Sequence, residues 1–186
     1  MVMKSLYKRA VIGLRRGIVS LEKHNLEWDN IAKNTIYKLS QILSNVAVDI
    51  QHIGSTAIKG IKAKPIIDIV IGVKNLSDIE DYKDALDKNG YIFRGEDVPA
   101  QILFVAGDFM KDTRTHHIHV VRYGEDVWNN YIDFRDYLNS NFEMADEYNK
   151  RKEKLAKMYP DNREAYTKGK KQMIDDILMK AKGNKD

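Results

Sequence analysis

Ile53-Gly54-Ser55-Thr56, followed by Lys64-Pro65-Ile66-Ile67-Asp68-Ile69-Val70-Ile71, is the stretch on which the fold turns. It reads as a strand, a tight turn exposing backbone amides and hydroxyls, a short linker, and a second strand carrying one acid. Asp68 interrupts an apolar run of the kind that forms a buried strand. An ionised carboxylate in such a place is costly unless a cation, a donor or a neighbouring charge compensates it. A turn suited to phosphate beside a carboxylate suited to metal points to nucleotide chemistry.

Outward from this stretch, Trp28, Ile31, Ala32, Thr35, Leu39, Ile42 and Leu43 recur at helical spacing and predict a helix over about 27–44. Val46 to Ile53 then reads as a strand, with a short helix over 55–61 that Lys64-Pro65 stops. Ile66 to Val73 is apolar on both faces, as in a central strand. Ser77-Asp78-Ile79-Glu80 has capping-box spacing and opens a helix that Asn89-Gly90 ends. Tyr91–Phe93, Gln101–Ala106 and Thr115–Arg122 are further strands, with polar turns at Gly95-Glu96-Asp97 and Gly107-Asp108. From Asp126 onward the apolar stripes are helical, the last helix covering about 161–180. The plan is a single domain over 1–186, with a sheet core at about 27–123 and a helical part at about 125–182.

Composition narrows the chemistry. The chain has 186 residues, 43% of them hydrophobic, enough for a proper core. It has no cysteine, which excludes disulfides, thiolate metal sites and a cysteine nucleophile and fits a cytoplasmic setting. No apolar run approaches the roughly 20 residues that cross a bilayer, so no membrane partner is expected. Residues 1 to 21 are basic (Lys4, Lys8, Arg9, Arg15, Arg16) but hold no signal-peptide core. A net charge of +4 suits a nucleotide or small anionic metabolite and gives no nucleic-acid surface. Neither a G-x-S-x-G elbow, a Walker A motif, a G-x-G-x-x-G fingerprint nor an H-E-x-x-H helix is present.

His52-Ile53-Gly54-Ser55-Thr56-Ala57-Ile58, Gly60 and Lys64-Pro65-Ile66-Ile67-Asp68 together resemble the signature of the GrpB (UPF0157) family. Gly13-Leu14-Arg15-Arg16-Gly17, Asn25-Leu26-Glu27-Trp28, Thr115-His116-His117-Ile118-His119-Val120, Phe134-Arg135-Asp136-Tyr137-Leu138 and Ala165-Tyr166-Thr167-Lys168-Gly169-Lys170 extend the likeness from about 13 to about 175. The resemblance implies an α+β fold: a nucleotidyltransferase-like mixed β-sheet with flanking helices and a helical C-terminal third. The superfamily is that of the DNA polymerase beta-like palm.

The site residues follow from both readings. Gly54, Ser55 and Thr56 form a turn that can bind phosphate, with Lys64 and Arg135 as candidate cations. The plainer alternatives are an ordinary turn and a helix-to-sheet salt bridge from Arg135. In nucleotidyltransferases the strand after this turn carries acids at i and i+2, on one face, holding divalent cations. Here the first is Asp68 and the second position is Val70. His117 and His119 share a face of their strand and, with Asp68, make a ligand set reasonable for a transition metal or zinc and less natural for magnesium. The cofactor expected is magnesium or manganese, with zinc as a further option; the plainer alternatives are histidines that only hydrogen-bond within the sheet and an Asp68 that is a buried, hydrogen-bonded or salt-bridged acid. His119 is alternatively an acid/base group. His52 either joins this cluster or orients the turn, Arg114 resembles Arg135 as a candidate, and Lys168 and Lys170 read as a solvated face. The leading expectation is divalent-metal-dependent transfer of a nucleotidyl group from a nucleoside triphosphate to an unknown acceptor. The alternatives are a non-catalytic nucleotide- or metabolite-binding protein and a His/Asp metal-dependent hydrolase.

Overall fold

The computed structural model describes residues 12–183; Lys4, Lys8 and Arg9 of the basic N-terminal segment lie outside them. The strands are β1 (Leu14–Arg15), β2 (Ala47–Ile53), β3 (Ile67–Val73), β4 (Ile92–Val98), β5 (Gln101–Ala106), β6 (Thr113–Arg114) and β7 (His116–Arg122). The helices are α1 (Glu27–Ile42), α2 (Lys83–Lys88), α3 (Asp126–Ser140), α4 (Phe142–Met158) and α5 (Arg163–Gly183). This is the expected α+β arrangement of a mixed sheet and a helical C-terminal third.

Five strands form the main sheet in the order β2-β3-β7-β5-β4. β3 and β7 run parallel at its centre, and the other neighbours are antiparallel. The two-residue period of a strand then sorts side chains to opposite faces. Ile67, Ile69, Ile71 and Val73 of β3 join Ile118 and Val120 of β7 in the core beneath α1, which presents Trp28, Ala32 and Leu39. Burying each of these large side chains contributes about 1.5–3 kcal/mol. Asp68 and Val70 face the other way, toward the C-terminal helices. Gly72 lets α3 approach, since a Cβ there would lie 2.8 Å from Tyr123 and 2.9 Å from Trp128.

Three local expectations change, and one pairing is new. The segment after Gly54 is one 3-10 turn, Ser55–Ala57, with Ile58 already extended. The cap after β3 belongs to Asn75, whose N–H donates to the Asp78 carboxylate (3.2 Å), and Leu76–Tyr82 is 3-10 before α2 begins. Gly95-Glu96-Asp97 is no turn but lies within β4, where register shifts on either side of Gly95 absorb the polar residues as bulges. Finally, β1 and β6 pair into a small separate ribbon (Leu14 with Arg114, Arg15 with Thr113), too short to show any periodicity.

Candidate functional site

Parallel pairing sets Asp68 opposite His117 and Val70 opposite His119. Asp68 Oδ1 is 3.0 Å from His117 Nδ1 and 3.9 Å from His119 Nε2. Burial opposes ionisation of Asp68, but hydrogen bonds from His117 and His119, and their charge, outweigh it and hold the carboxyl well below the usual carboxylate range. An ionised Asp68 accepts at Oδ1, so His117 donates through Nδ1, and in the neutral ring this tautomer leaves the lone pair on Nε2. His119 packs against Tyr131, whose hydroxyl donates to Gln101 at 2.6 Å and lies 3.5 Å from His119 Nδ1.

Gly54 makes this carboxylate position available. Its backbone sits at φ 71°, ψ −172°, a region only glycine occupies readily. A Cβ at this position would lie 2.4 Å from Asp68 Oδ2. The next residues divide between site and scaffold. Gly54 and Ser55 line the cavity described below. Thr56 also borders it, but its buried hydroxyl is engaged by His52 Nε2 (3.0 Å) and the Ile66 carbonyl (3.5 Å). Burial pushes His52 down to about 4, so near neutral pH it is an uncharged brace for the turn. Nor does the turn present a helix dipole to an anion, because three residues of 3-10 helix sum too few peptide dipoles.

Arg135 is a correction. Its guanidinium donates to Asp136 (2.7 Å), the Gln51 side chain (2.9 Å) and the His52 carbonyl (3.0 Å). It ties α3 to β2 and is absent from the cavity lining. The cations that do reach the cavity come from elsewhere. A cavity of about 450 Å³ lies between the sheet face of Asp68 and the C-terminal helices. Lys64 lines it, joined by Arg163 and Lys170 of α5. Lys64 and Lys170 flank one ring, their ammonium groups 5.5 and 4.7 Å from the centroid of Tyr166. Burial, then repulsion from Lys170 and Arg163, brings Lys64 down to about 7 despite attraction from Asp68. The rest of the wall is largely apolar and aromatic, including Ile53, Val127, Phe134, Tyr148 and Leu178.

Lys170 therefore does not belong to a solvated face, whereas Lys168 is exposed. Lys170 and Arg163 lie seven residues apart, two turns of one helix, but the alternation of Lys168, Lys170 and Lys171 conceals which of them points inward. Lys152 was equally inconspicuous in the sequence. It is 1% exposed, donates to the Lys62 carbonyl, and burial drives it down to about 7.

The cation centre implied by the resemblance needs several oxygen donors. Asp68 is the one carboxylate in the cavity lining, and its Oδ1 is already engaged by His117. Val70 is fully buried in an apolar cluster with Ile53, Val121 and Trp128, so a second acid there would be enclosed beneath α3. Asp68, His117 and His119 do converge, yet no set of three His, Cys, Asp or Glu side chains among the described residues is arranged to hold a metal ion. This donor set does not fit a two-cation centre.

The comparisons agree with the arrangement of sheet and helices. A GrpB of Alkalihalophilus pseudofirmus, a glutamate-rich protein, is 40% identical over 171 residues, 90% of this chain and 98% of its own. The crystal structure of the conserved protein GrpB from Enterococcus faecalis matches at a TM-score of 0.80 and 27% identity, over 87% of this chain and 96% of its own. The Cid1 poly(U) polymerase, solved with MgATP, aligns over 70% of this chain and 45% of its own at a TM-score of 0.46 and 10% identity, too distant to bear on the reaction. No helix among the described residues is long and apolar enough to cross a membrane. The GrpB protein family matches residues 18–180, and the chain belongs to that family.

Proposed function

We propose that the cavity binds a nucleoside triphosphate and that the chain transfers its nucleotidyl group to an acceptor. The observation that carries this reading is the set of three cations, Lys64, Arg163 and Lys170, that line one cavity with Asp68, two of them flanking the Tyr166 ring. A chain of phosphates suits that wall, and a base suits the aromatic and aliphatic remainder. Gly54 allows the ligand close to the backbone.

In the transfer, an acceptor hydroxyl attacks the α-phosphorus. The new P–O bond forms as the α–β bridging P–O bond breaks, and pyrophosphate leaves with the electron pair. The hydroxyl proton passes to His117 Nε2, with Asp68 orienting the ring and stabilising the imidazolium. Lys64, Arg163 and Lys170 offset charge on the departing phosphates. The absence of cysteine agrees with a cytoplasmic setting.

The test is equilibrium binding of a panel of nucleoside triphosphates, with and without magnesium, manganese or zinc, followed by α-phosphate label transfer. Wild type is expected to bind, and Lys170→Met to bind at least tenfold more weakly. Absence of binding under every condition would overturn the reading. Burial of Val70 under α3 favours a second one, a binding protein without turnover; binding without label transfer to any acceptor would select it.

A further inference from the structure

Four arginines line a small chamber beside the cavity. His117 and Arg163 line both that cavity and this second chamber of about 270 Å³, whose other charged residues are Arg16, Arg94 and Arg114. Leu103 and Val105 of β5 complete it, and no carboxylate appears in its lining. Arg114 is buried, donates to the Thr113 carbonyl at 3.1 Å and stands 3.6 Å from Asp112, itself about half exposed. That is the single ion pair made by any of these arginines among the described residues.

These groups are held in position. Arg114 and Arg94 both lie over Phe109, 4.6 and 5.4 Å from its centroid. The β1–β6 ribbon brings the N-terminal segment alongside, and the Arg16 N–H donates to the Asp112 carbonyl at 2.9 Å. Burial and then the charge of Arg94 lower the pKa of Arg114; Asp112 acts against this, and Arg16 and Arg163 add to it. Four like charges around one chamber repel each other unless an anion enters. A single carboxylate would offset only one of them, whereas a phosphate monoester carries close to two charges and meets guanidinium forks in bidentate geometry.

We infer that this chamber binds the phosphate of the acceptor, a small phosphorylated compound whose hydroxyl reaches His117 at the partition between the two spaces. The inference rests on the nucleotide reading above. The donor triphosphate occupies the Lys64–Lys170 side, the acceptor's phosphate the arginine side, and the Asp68–His117 pair stands between them.

Calorimetric titration of inorganic phosphate, and separately of adenosine triphosphate, tests this in wild type, Arg94→Met, Arg16→Met and Lys170→Met. Arg94 and Arg16 are exposed, so both variants should fold, which circular dichroism checks. Each arginine variant is expected to weaken phosphate at least tenfold and to leave triphosphate affinity within threefold; Lys170→Met should do the reverse. Unchanged phosphate affinity in both arginine variants overturns the chamber as a site. Equal loss of triphosphate in them overturns its assignment to an acceptor, since the chamber then serves the nucleotide. Arginine-dependent phosphate binding by a wild type that takes no triphosphate overturns the nucleotide reading and the acceptor role together, leaving a phosphate site.

Discussion

Replacing Gly54 with alanine places a methyl group 2.4 Å from Asp68 Oδ2, 3.0 Å from its Cβ and 3.1 Å from its Cγ. Two costs arise. The backbone at φ 71° costs about 1–3 kcal/mol for a residue with a side chain. Moving the carboxylate also sacrifices a charge-assisted bond to His117, about 1.5–3 kcal/mol. The structure relaxes along whichever route is easier, so the sum is an upper bound and about 3–4 kcal/mol is expected. That leaves a domain of ordinary stability folded but lowers its Tm by roughly 10 °C. Gly60→Ala is the control: φ is 79°, but nothing lies within 4 Å of the added carbon, so only the backbone cost of about 1–2 kcal/mol remains. Urea denaturation of both variants, each also built with Asp68→Ala, measures the effect. Without the carboxylate, the cost of Gly54→Ala should fall by at least about 1 kcal/mol while that of Gly60→Ala stays the same. Equal costs for the two glycines, or no coupling to Asp68, would refute the reasoning.

Lys64 has a free-protein pKa near 7 and an anion raises it, so triphosphate affinity should weaken as pH climbs above about 7. Lys64→Met should flatten that profile in titrations at pH 6, 7 and 8. Lys152 titrates near 7 folded and near 10.5 unfolded, so its penalty is complete below 7 and stability recovers by about 1.4 kcal/mol per unit between those values. Urea curves of wild type and Lys152→Met should therefore converge as pH rises from 6 to 10, and parallel curves would contradict the assignment. Burial brings His52 and His116 down to about 4, so the unfolded chain takes up their protons first. Stability should fall from pH 6.5 to 4 by up to about 2.7 kcal/mol per unit, and His52→Gln should halve that slope. Arg135→Ala strips partners from Gln51 and the His52 carbonyl and should cost about 2 kcal/mol in denaturation, leaving triphosphate affinity within threefold.

The sequence discloses what strand periodicity controls. Asp68 in an apolar run and the spacing of His117 and His119 specify one face of two strands, and the parallel register brings them within 4 Å. It does not disclose what helix docking controls. Arg135 and Lys170 are both long cations on C-terminal helices, yet Arg135 turns to β2 and Lys170 to the cavity, because tertiary packing sets which side of each helix faces the sheet. The β1–β6 ribbon escapes notice for a different reason. Two residues carry no pattern, and Arg16 acquires its surroundings only when Arg114 pairs alongside. Gly54 lies between these cases, since a glycine after a strand signals a turn but says nothing of a carboxylate pressed against it.

Arg163, Tyr166 and Lys170 all belong to α5, the last helix described, while Gly54 and Asp68 precede it by about a hundred residues. Synthesis runs from the N-terminus, and at ribosomal speeds of about 5–20 residues per second that interval lasts roughly 5–20 seconds. The sheet can assemble on the ribosome, and α3 can cover the apolar surface around Val70 and Ile53, but the wall of the cavity stays open until α5 arrives. The nascent chain thus passes through a stage in which the cavity lacks the wall that Arg163, Tyr166 and Lys170 supply. Ligand cannot rescue a folding failure that occurs before α5 has emerged, and substitutions in the sheet face should prove more harmful during biosynthesis than in refolding of the finished chain.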